Sequence, residues 1–270
     1  MKNARKKDKR NLESIARLIK KDILTISYRA NVGHVGCAFS IADITTVLYQ
    51  TILRINPDKP HDPERDRFIL SKGHAATALY ANLYRRGFIS RKDLLSFCSE
   101  GGALGVHPVY DLKKGIELST GSLGHGLPVA AGMALGLKKP RIFVLISDAE
   151  LNEGSTWEGI MFAAHHKLDN LVVILDDNNF QAFGRASDVM DLQPVEEKWR
   201  AFGWGVRTVD GHDVEELENV FRQLPFEKNR PSVVVAKTTT GKGLSHIEDT
   251  QEAHYLPLTK KQYEHALKYL

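Results

Sequence analysis

The sequence predicts a single α/β domain, a parallel sheet flanked by helices. Three observations carry this. Short apolar runs recur in the second half, at Arg141–Ile146, Asn170–Leu175, Val206–Val209 and Ser232–Ala236. Helix-like segments separate them, at 154–167 and from about Val214 to Leu224. No Pro/Ser/Gly linker, internal repeat or low-complexity tract divides the chain, so residues 1–270 read as one domain with an N-terminal helical extension. Strands alternating with helices imply βαβ units and a parallel sheet. Right-handed crossovers then bring all strand C-terminal ends to one edge.

The first half supplies the remaining elements. Residues 11–29 read as an amphipathic helix, with Leu12, Ile15, Leu18, Ile19, Ile23 and Ile26 at helical spacing. A glycine-rich break follows, Asn31-Val32-Gly33-His34-Val35-Gly36. A second helix is expected from near Ser40 to Ile52, with Ser40 and Asp43 as its capping pair. Arg67–Leu70 is a short buried-strand candidate. It ends in Ser71-Lys72-Gly73-His74, before an Ala-rich helix.

Composition narrows the function. With 270 residues, 42% hydrophobic and 26% charged, the chain buries one substantial core. The formal charge is +4, and part of it sits in MKNARKKDKR at the start, read as a solvated terminus. No aromatic residue interleaves with these cations, so no nucleic-acid partner is expected. The two cysteines, Cys37 and Cys98, make neither a disulfide framework nor a metal-ligand spacing; both are expected as small buried hydrophobes. No apolar h-region follows the basic start, and no apolar run reaches the ~18 residues of a membrane span. The expected location is cytoplasmic, with no membrane partner.

Ligands bind at the carboxyl edge of open parallel sheets. One predicted strand runs into Ser147-Asp148-Ala149-Glu150 and the next into Asp176-Asp177-Asn178-Asn179. Asp148 and Asn178 therefore present a carboxylate and an amide oxygen from neighbouring strand ends. Such ligands suit Mg²⁺ or Ca²⁺, and the Phe180 carbonyl offers a third. Asp and Asn also end strands simply as turn formers. Histidines add weight: His34, His74, His107 and His125 each adjoin glycine or proline in loop-like contexts. Four such imidazoles point to a shared site able to move protons near neutral pH.

In order, the motifs are Gly33-His34-Val35-Gly36, Asp66 through His74, Gly105-Val106-His107-Pro108, Ser119 through Gly124, Asp148 through Asn178, Asp210-Gly211-His212-Asp213 and Lys237 through Gly243. Together they resemble the diphosphate-binding domain of transketolase, from about Ser27 to Leu258. The resemblance implies a thiamine diphosphate-binding fold. It also implies thiamine diphosphate held through Mg²⁺ by Asp148, Asn178 and the Phe180 carbonyl. His74 and His254 match histidines on the diphosphate. His34 and His107 match histidines facing the sugar hydroxyls, and His254 joins them in handling developing charge. Gly121 and Leu123 match residues packed near the reactive ring, and Ala149 presents its backbone to the phosphates. Glu153 and Glu158 match acidic residues that link paired sites; read alone, they are helix N-terminal carboxylates.

Departures from that pattern are specific. Ser147-Asp148-Ala149 replaces the usual Gly-Asp-Gly, His125 stands where glutamine is usual, and Tyr255 stands where glycine follows the histidine. They fit a non-standard donor or acceptor. The pyrimidine-binding half, which supplies the cofactor-activating glutamate in the family, is not among these residues. The resemblance thus implies the smaller subunit of a split enzyme, completed by a pyrimidine-binding partner as α₂β₂ and acting on sugars or sugar phosphates. The neighbouring readings are two-carbon transfer to a carrier protein or a modified sugar, a 2-oxo acid dehydrogenase α-subunit, and a non-catalytic cofactor-binding subunit. The run Leu70 through His74 with His107-Pro108 favours transketolase over the dehydrogenase.

Overall fold

The computed structural model describes residues 2–270, with side chains from residue 11 onward. The basic side chains at 1–10, read above as a solvated terminus, lie outside the described residues. Helix α1 (Lys2–Ala30) leads into α2 (Val35–Ser40) and α3 (Ala42–Val47), which ends in a π turn at Leu48–Ile52. Then come β1 (Arg67–Leu70), α4 (Ala76–Arg85), α5 (Arg91–Leu95) and α6 (Gly126–Gly136). The centre holds β2 (Ile142–Ser147), α7 (Gly154–His165), β3 (Leu171–Asp177), and a two-residue pairing of β4 (Phe180–Gln181) with β5 (Gly184–Arg185). The chain closes with α8 (Ala186–Met190), α9 (Val195–Ala201), β6 (Gly205–Asp210), α10 (Val214–Phe221), β7 (Ser232–Lys237), α11 (Glu252–Tyr255) and α12 (Lys260–Tyr269).

Five strands form one parallel sheet in the order β1-β2-β3-β7-β6. The apolar runs of β2, β3 and β7 are continuous because both faces are covered, whereas the edge strand β6 exposes Arg207 and Thr208. Side chains alternate between two cores, as pleating requires. Phe143, Leu145, Val172, Ile174 and Val234 face a layer containing α1, α3, α4 and α10. Ile142, Val144, Val173, Leu175, Val233 and Val235 face α6, α7 and α9. Each central strand adds about four to six buried aliphatic or aromatic side chains, worth roughly 1.5–3 kcal/mol apiece in transfer from water.

Several local readings change. The second helix starts at Val35 rather than Ser40, and Ser40 caps nothing. Its hydroxyl is buried and donates to the Cys37 carbonyl (2.9 Å) and to Asp176 Oδ2 (2.8 Å). Asp43 instead pairs with Lys20 (2.8 Å) and His212 Nδ1 (3.1 Å). Cys37 is buried as expected, but Cys98 is exposed, on a turn where its φ is +52°. Helix α6 had no sequence signal, since it carries Gly126, Pro128, Gly132 and Gly136. Packing makes it: Ala130, Ala131 and Ala134 are buried, and α7 lies against it so closely that a Cβ on Gly159 would sit 3.1 Å from Leu127. Among the described residues, no helix is long and apolar enough to cross a membrane.

Candidate active site

Parallel pairing sets Ser147 opposite Asp176, so β2 and β3 deliver their following residues to the same edge. Asp148 opens a 3₁₀ turn, Asp148–Asn152, and Asn178 directly follows β3. Asp148 is buried; Oδ1 accepts the Ala149 N–H at 2.7 Å, and Oδ2 has no hydrogen-bond partner. Burial, then the neighbouring Asp176, pushes its pKa up to about 7. A carboxylate held this way gains from a cation. Asn178 Oδ1 accepts the Phe180 N–H at 2.8 Å, and its amide donates to Asp176 Oδ2 at 2.8 Å. A carbonyl oxygen has two lone pairs, so one contact leaves it a further acceptor site. Asp148 Oδ2 and Asn178 Oδ1 thus keep acceptor capacity at neighbouring strand ends, the kind of oxygen donors a hard cation takes.

A cavity of about 490 Å³ lies over this edge, within the usual range for small-molecule sites. His34, His74, His107 and His254 line it, with Gly121, Leu123 and Ala149. Asn178 and Phe180 belong to its wall. Asp148 lines an adjoining cavity of about 470 Å³, which Asn178 shares. Most of the sequence motifs thus converge, but Asp210 and His212 line a separate cavity, and His125 is also left out. His125 is exposed, sits 3.0 Å from the Leu123 carbonyl through Nδ1, and does not line the cavity.

The rings of His34, His74 and His254 stand 5.2–5.7 Å apart. His34 lies at the start of α2 with a left-handed φ of +64°, and its N–H donates to the His254 carbonyl at 3.1 Å. Glycine is required just before it: a Cβ on Gly33 would come 2.0 Å from the Tyr255 carbonyl oxygen. Burial lowers the pKa of all three imidazoles, His254 to about 4 and His74 well below the ordinary value. The Lys72 charge lowers all three further. They are neutral near pH 7 and each keeps one N–H to donate and one nitrogen to accept. His107 reaches the cavity from an exposed loop and packs against Gly121, where a Cβ would sit 3.0 Å from its ring.

Beneath the cavity lies a polar hub that the motifs alone do not reveal. Asp176 is fully buried and accepts from Lys72 (2.5 Å), Ser40, Asn178 and the Thr238 hydroxyl. Burial works against the Lys72 charge, but Asp176, with Cys37 and Asp148, outweighs it and the pKa is raised. This hub joins α2, the ends of β1, β3 and β7, and the Asn178 amide. Glu150 is a second tie. It accepts the Ser71 hydroxyl, the Gly124 N–H (2.9 Å) and the Ser147 N–H (3.1 Å), and burial raises its pKa. His212 is a third: Nε2 accepts the Thr239 N–H at 2.9 Å while Nδ1 faces Asp43. These residues lie within the motifs read from the sequence, but no local spacing there signals these partners. Glu153 and Glu158 are exposed on and beside α7; Glu153 lines the histidine cavity and its N–H donates to the Glu150 carbonyl at 3.1 Å.

A covered parallel sheet with histidines and an unsatisfied carboxylate over its carboxyl edge defines a domain suited to a phosphorylated cofactor held through a metal ion. The chain belongs to the transketolase family: residues 8–269 match "Transketolase, thiamine diphosphate binding domain". It is 40% identical over 253 residues to an apulose-4-phosphate transketolase subunit of Phocaeicola vulgatus, covering 92% of this chain and 90% of that protein. It is 37% identical over 261 residues to "6-deoxy-6-sulfo-D-fructose transketolase subunit SqwG" of Clostridium sp., covering 95% of each. Transketolase from Campylobacter jejuni superposes with a TM-score of 0.88 at 30% identity, over 95% of this chain and 42% of that one. Transketolase from Leishmania mexicana gives 0.88 at 27% identity, over 94% and 40%. The chain therefore spans about two fifths of those solved transketolases, and matches the proteins named as transketolase subunits along most of their length. The family match sets aside the 2-oxo acid dehydrogenase reading.

Proposed function

We propose that this chain is the diphosphate-binding subunit of a two-subunit transketolase. It works with thiamine diphosphate and Mg²⁺ and moves a two-carbon ketol unit from a ketose, or ketose phosphate, to an aldehyde acceptor. The observation that carries the proposal is the convergence of four histidines over a buried carboxylate with an unpartnered oxygen. Asp148, Asn178 and the Phe180 carbonyl would hold Mg²⁺. His74, His254 and the backbone at Ala149 would hold the diphosphate, with Gly121 and Leu123 beside the reactive ring. Thiamine diphosphate supplies the carbanion stabilisation that ketol transfer requires.

The chain's own work is binding, orientation and proton handling. Neutral His34 and His254 accept or donate at the sugar hydroxyls, and an N–H aimed at a developing alkoxide stabilises it. His107 faces the same space from an exposed loop, where it can meet the acceptor. Two of the relatives are named for apulose-4-phosphate and for 6-deoxy-6-sulfo-D-fructose, which favours an uncommon sugar over the usual pentose and hexose phosphates. Phe183 (86% exposed) and Tyr255 (47% exposed) line the cavity mouth, and Leu256 is exposed beside them. Large apolar side chains left open at a cavity support a covering partner, the pyrimidine-binding subunit in an α₂β₂ assembly.

Purified with its partner, thiamine diphosphate and Mg²⁺, the chain should transfer ketol units from a panel of ordinary, branched and sulfonated ketoses. Robust turnover by the chain alone would refute the two-subunit reading. Cofactor binding in the complex without transfer from any donor would favour the non-catalytic reading, for which the Ser147-Asp148-Ala149 departure is the motive. Transfer only when a carrier protein serves as acceptor would favour the carrier reading.

A further inference from the structure

His34, Cys37 and His254 each bring one potential ligand atom, nitrogen, sulfur and nitrogen, to within 4.8 Å of one another. Cys37 Sγ and His254 Nδ1 are 3.3 Å apart. A tetrahedral zinc ion, with Zn–S near 2.3 Å and Zn–N near 2.0 Å, sets such a pair about 3.5 Å apart. Two of the three ligands therefore already stand at coordination spacing, and the third needs a movement of about 1 Å. Independently, His34 Nδ1 is buried and has no hydrogen-bond partner.

The frame around these atoms is fixed. His34 and Cys37 lie one turn apart at the start of α2. His254 lies on α11, which abuts α2 so closely that a Cβ on Gly36 would sit 2.6 Å from the Ala253 Cβ. The His34 N–H bond to the His254 carbonyl ties the two segments together. All three side chains line the cavity, so a fourth coordination position would face its interior. The nearby Lys72 cation is already neutralised by Asp176.

We propose that His34, Cys37 and His254 form a binding site for a borderline-soft metal ion of the zinc class. It would be chemically distinct from the oxygen-ligand position at Asp148, Asn178 and Phe180. Thiolate and imidazole select zinc, whereas carboxylate and carbonyl oxygens select magnesium. Binding forms an S–Zn bond, releases the Cys37 thiol proton to solvent and changes no oxidation state. A bound ion would withdraw His34 and His254 from the sugar and stop transfer. That consequence rests on the role given to these histidines under Proposed function; the binding itself does not.

The test uses the full chain, stripped of metal under a non-thiol reductant and titrated with Co²⁺ and then Zn²⁺. The expected result is a thiolate-to-cobalt charge-transfer band that zinc abolishes by displacement. Cys37→Ser should remove the band and weaken zinc binding by at least about tenfold, the scale on which metal sites respond to losing a supporting group. His254→Asn keeps the thiol and should also weaken zinc binding, while Cys98→Ser, at the exposed cysteine, should preserve both band and affinity. A wild-type chain without the band, or a band that survives Cys37→Ser, overturns the proposal. A second arm adds zinc to the assembled, magnesium-saturated enzyme. Zinc inhibition that Cys37→Ser relieves supports both readings. The band without inhibition leaves the metal site standing and removes His34 and His254 from sugar handling.

Discussion

Replacing Asp148 by Asn should stabilise the metal-free chain at neutral pH while abolishing its response to cofactor and magnesium. The buried carboxyl has its pKa raised from 3.8 to about 7, chiefly by burial and then by Asp176. A carboxyl of this kind stays protonated in the native chain at pH values where the unfolded chain has released the proton. Its contribution to stability is therefore fully present below pH 3.8 and is lost as pH rises to about 7. At 1.36 kcal/mol per pKa unit, the loss is up to about 4 kcal/mol. Asparagine does not ionise and escapes it. Denaturant unfolding of both chains between pH 4 and 8, without metal, should show a gap that opens in favour of Asp148→Asn as pH rises. Adding magnesium and thiamine diphosphate to the complex should reverse the order, because only wild type couples binding to that carboxylate. A ligand at one hundred times its Kd contributes about 2.7 kcal/mol. A stability gap that does not vary with pH would refute the raised pKa. Equal stabilisation of both proteins by the ligands would refute the metal-ligand assignment.

Three other perturbations test the rest of the site. His107→Ala should retain cofactor binding but lose about 10²–10⁴-fold in transfer, the range of general acid–base assistance; unchanged catalytic efficiency across several sugars would return it to a structural role. Asp176→Asn should destabilise the fold by about 3–5 kcal/mol, since Lys72 would be left buried without its counter-charge, and a thermal or denaturant midpoint near wild type would refute the hub. Ser147→Gly with Ala149→Gly should leave diphosphate affinity equal or higher by calorimetry, while a large loss would mean that the backbone is rebuilt around the alanine.

How far the sequence was legible depends on the kind of signal each element carries. The four runs Arg141–Ile146, Asn170–Leu175, Val206–Val209 and Ser232–Ala236 each fall on a strand, to within two residues at their ends. Burial on both faces left the runs on β2, β3 and β7 almost wholly apolar, while the edge strand β6 carries exposed Arg207 and Thr208. Helix α6 was invisible because its glycines and proline argue against a helix, and only packing against α7 and the sheet overrides them. The Ser40–Asp43 pair had the spacing of a capping box, but both side chains are drawn to partners distant in sequence, Asp176 and His212. Cys98 was read as buried from residue type alone, and a turn places it outside.

The site divides along the same physical line. His34, His74 and His107 face the cavity and were found because glycine or proline beside a histidine marks a loop, whereas His254, on α11, was found only through the family resemblance. Asp176, Lys72 and Glu150 sit inside those same motifs, yet their partners come from separate segments: Asp176 takes hydrogen bonds from residues 40, 72, 178 and 238. No local spacing encodes such a meeting. A buried carboxylate with four donors rigidifies the floor on which Asn178 and the histidines stand. Asp148 lies beside this floor with one buried oxygen left unpaired, a cost in stability that the proposed metal ion would offset. Strain of that kind survives only where the surrounding contacts over-determine the geometry. Asp176 and Glu150 supply those contacts, which is why their loss should damage folding first and ligand response second, the opposite order from Asp148.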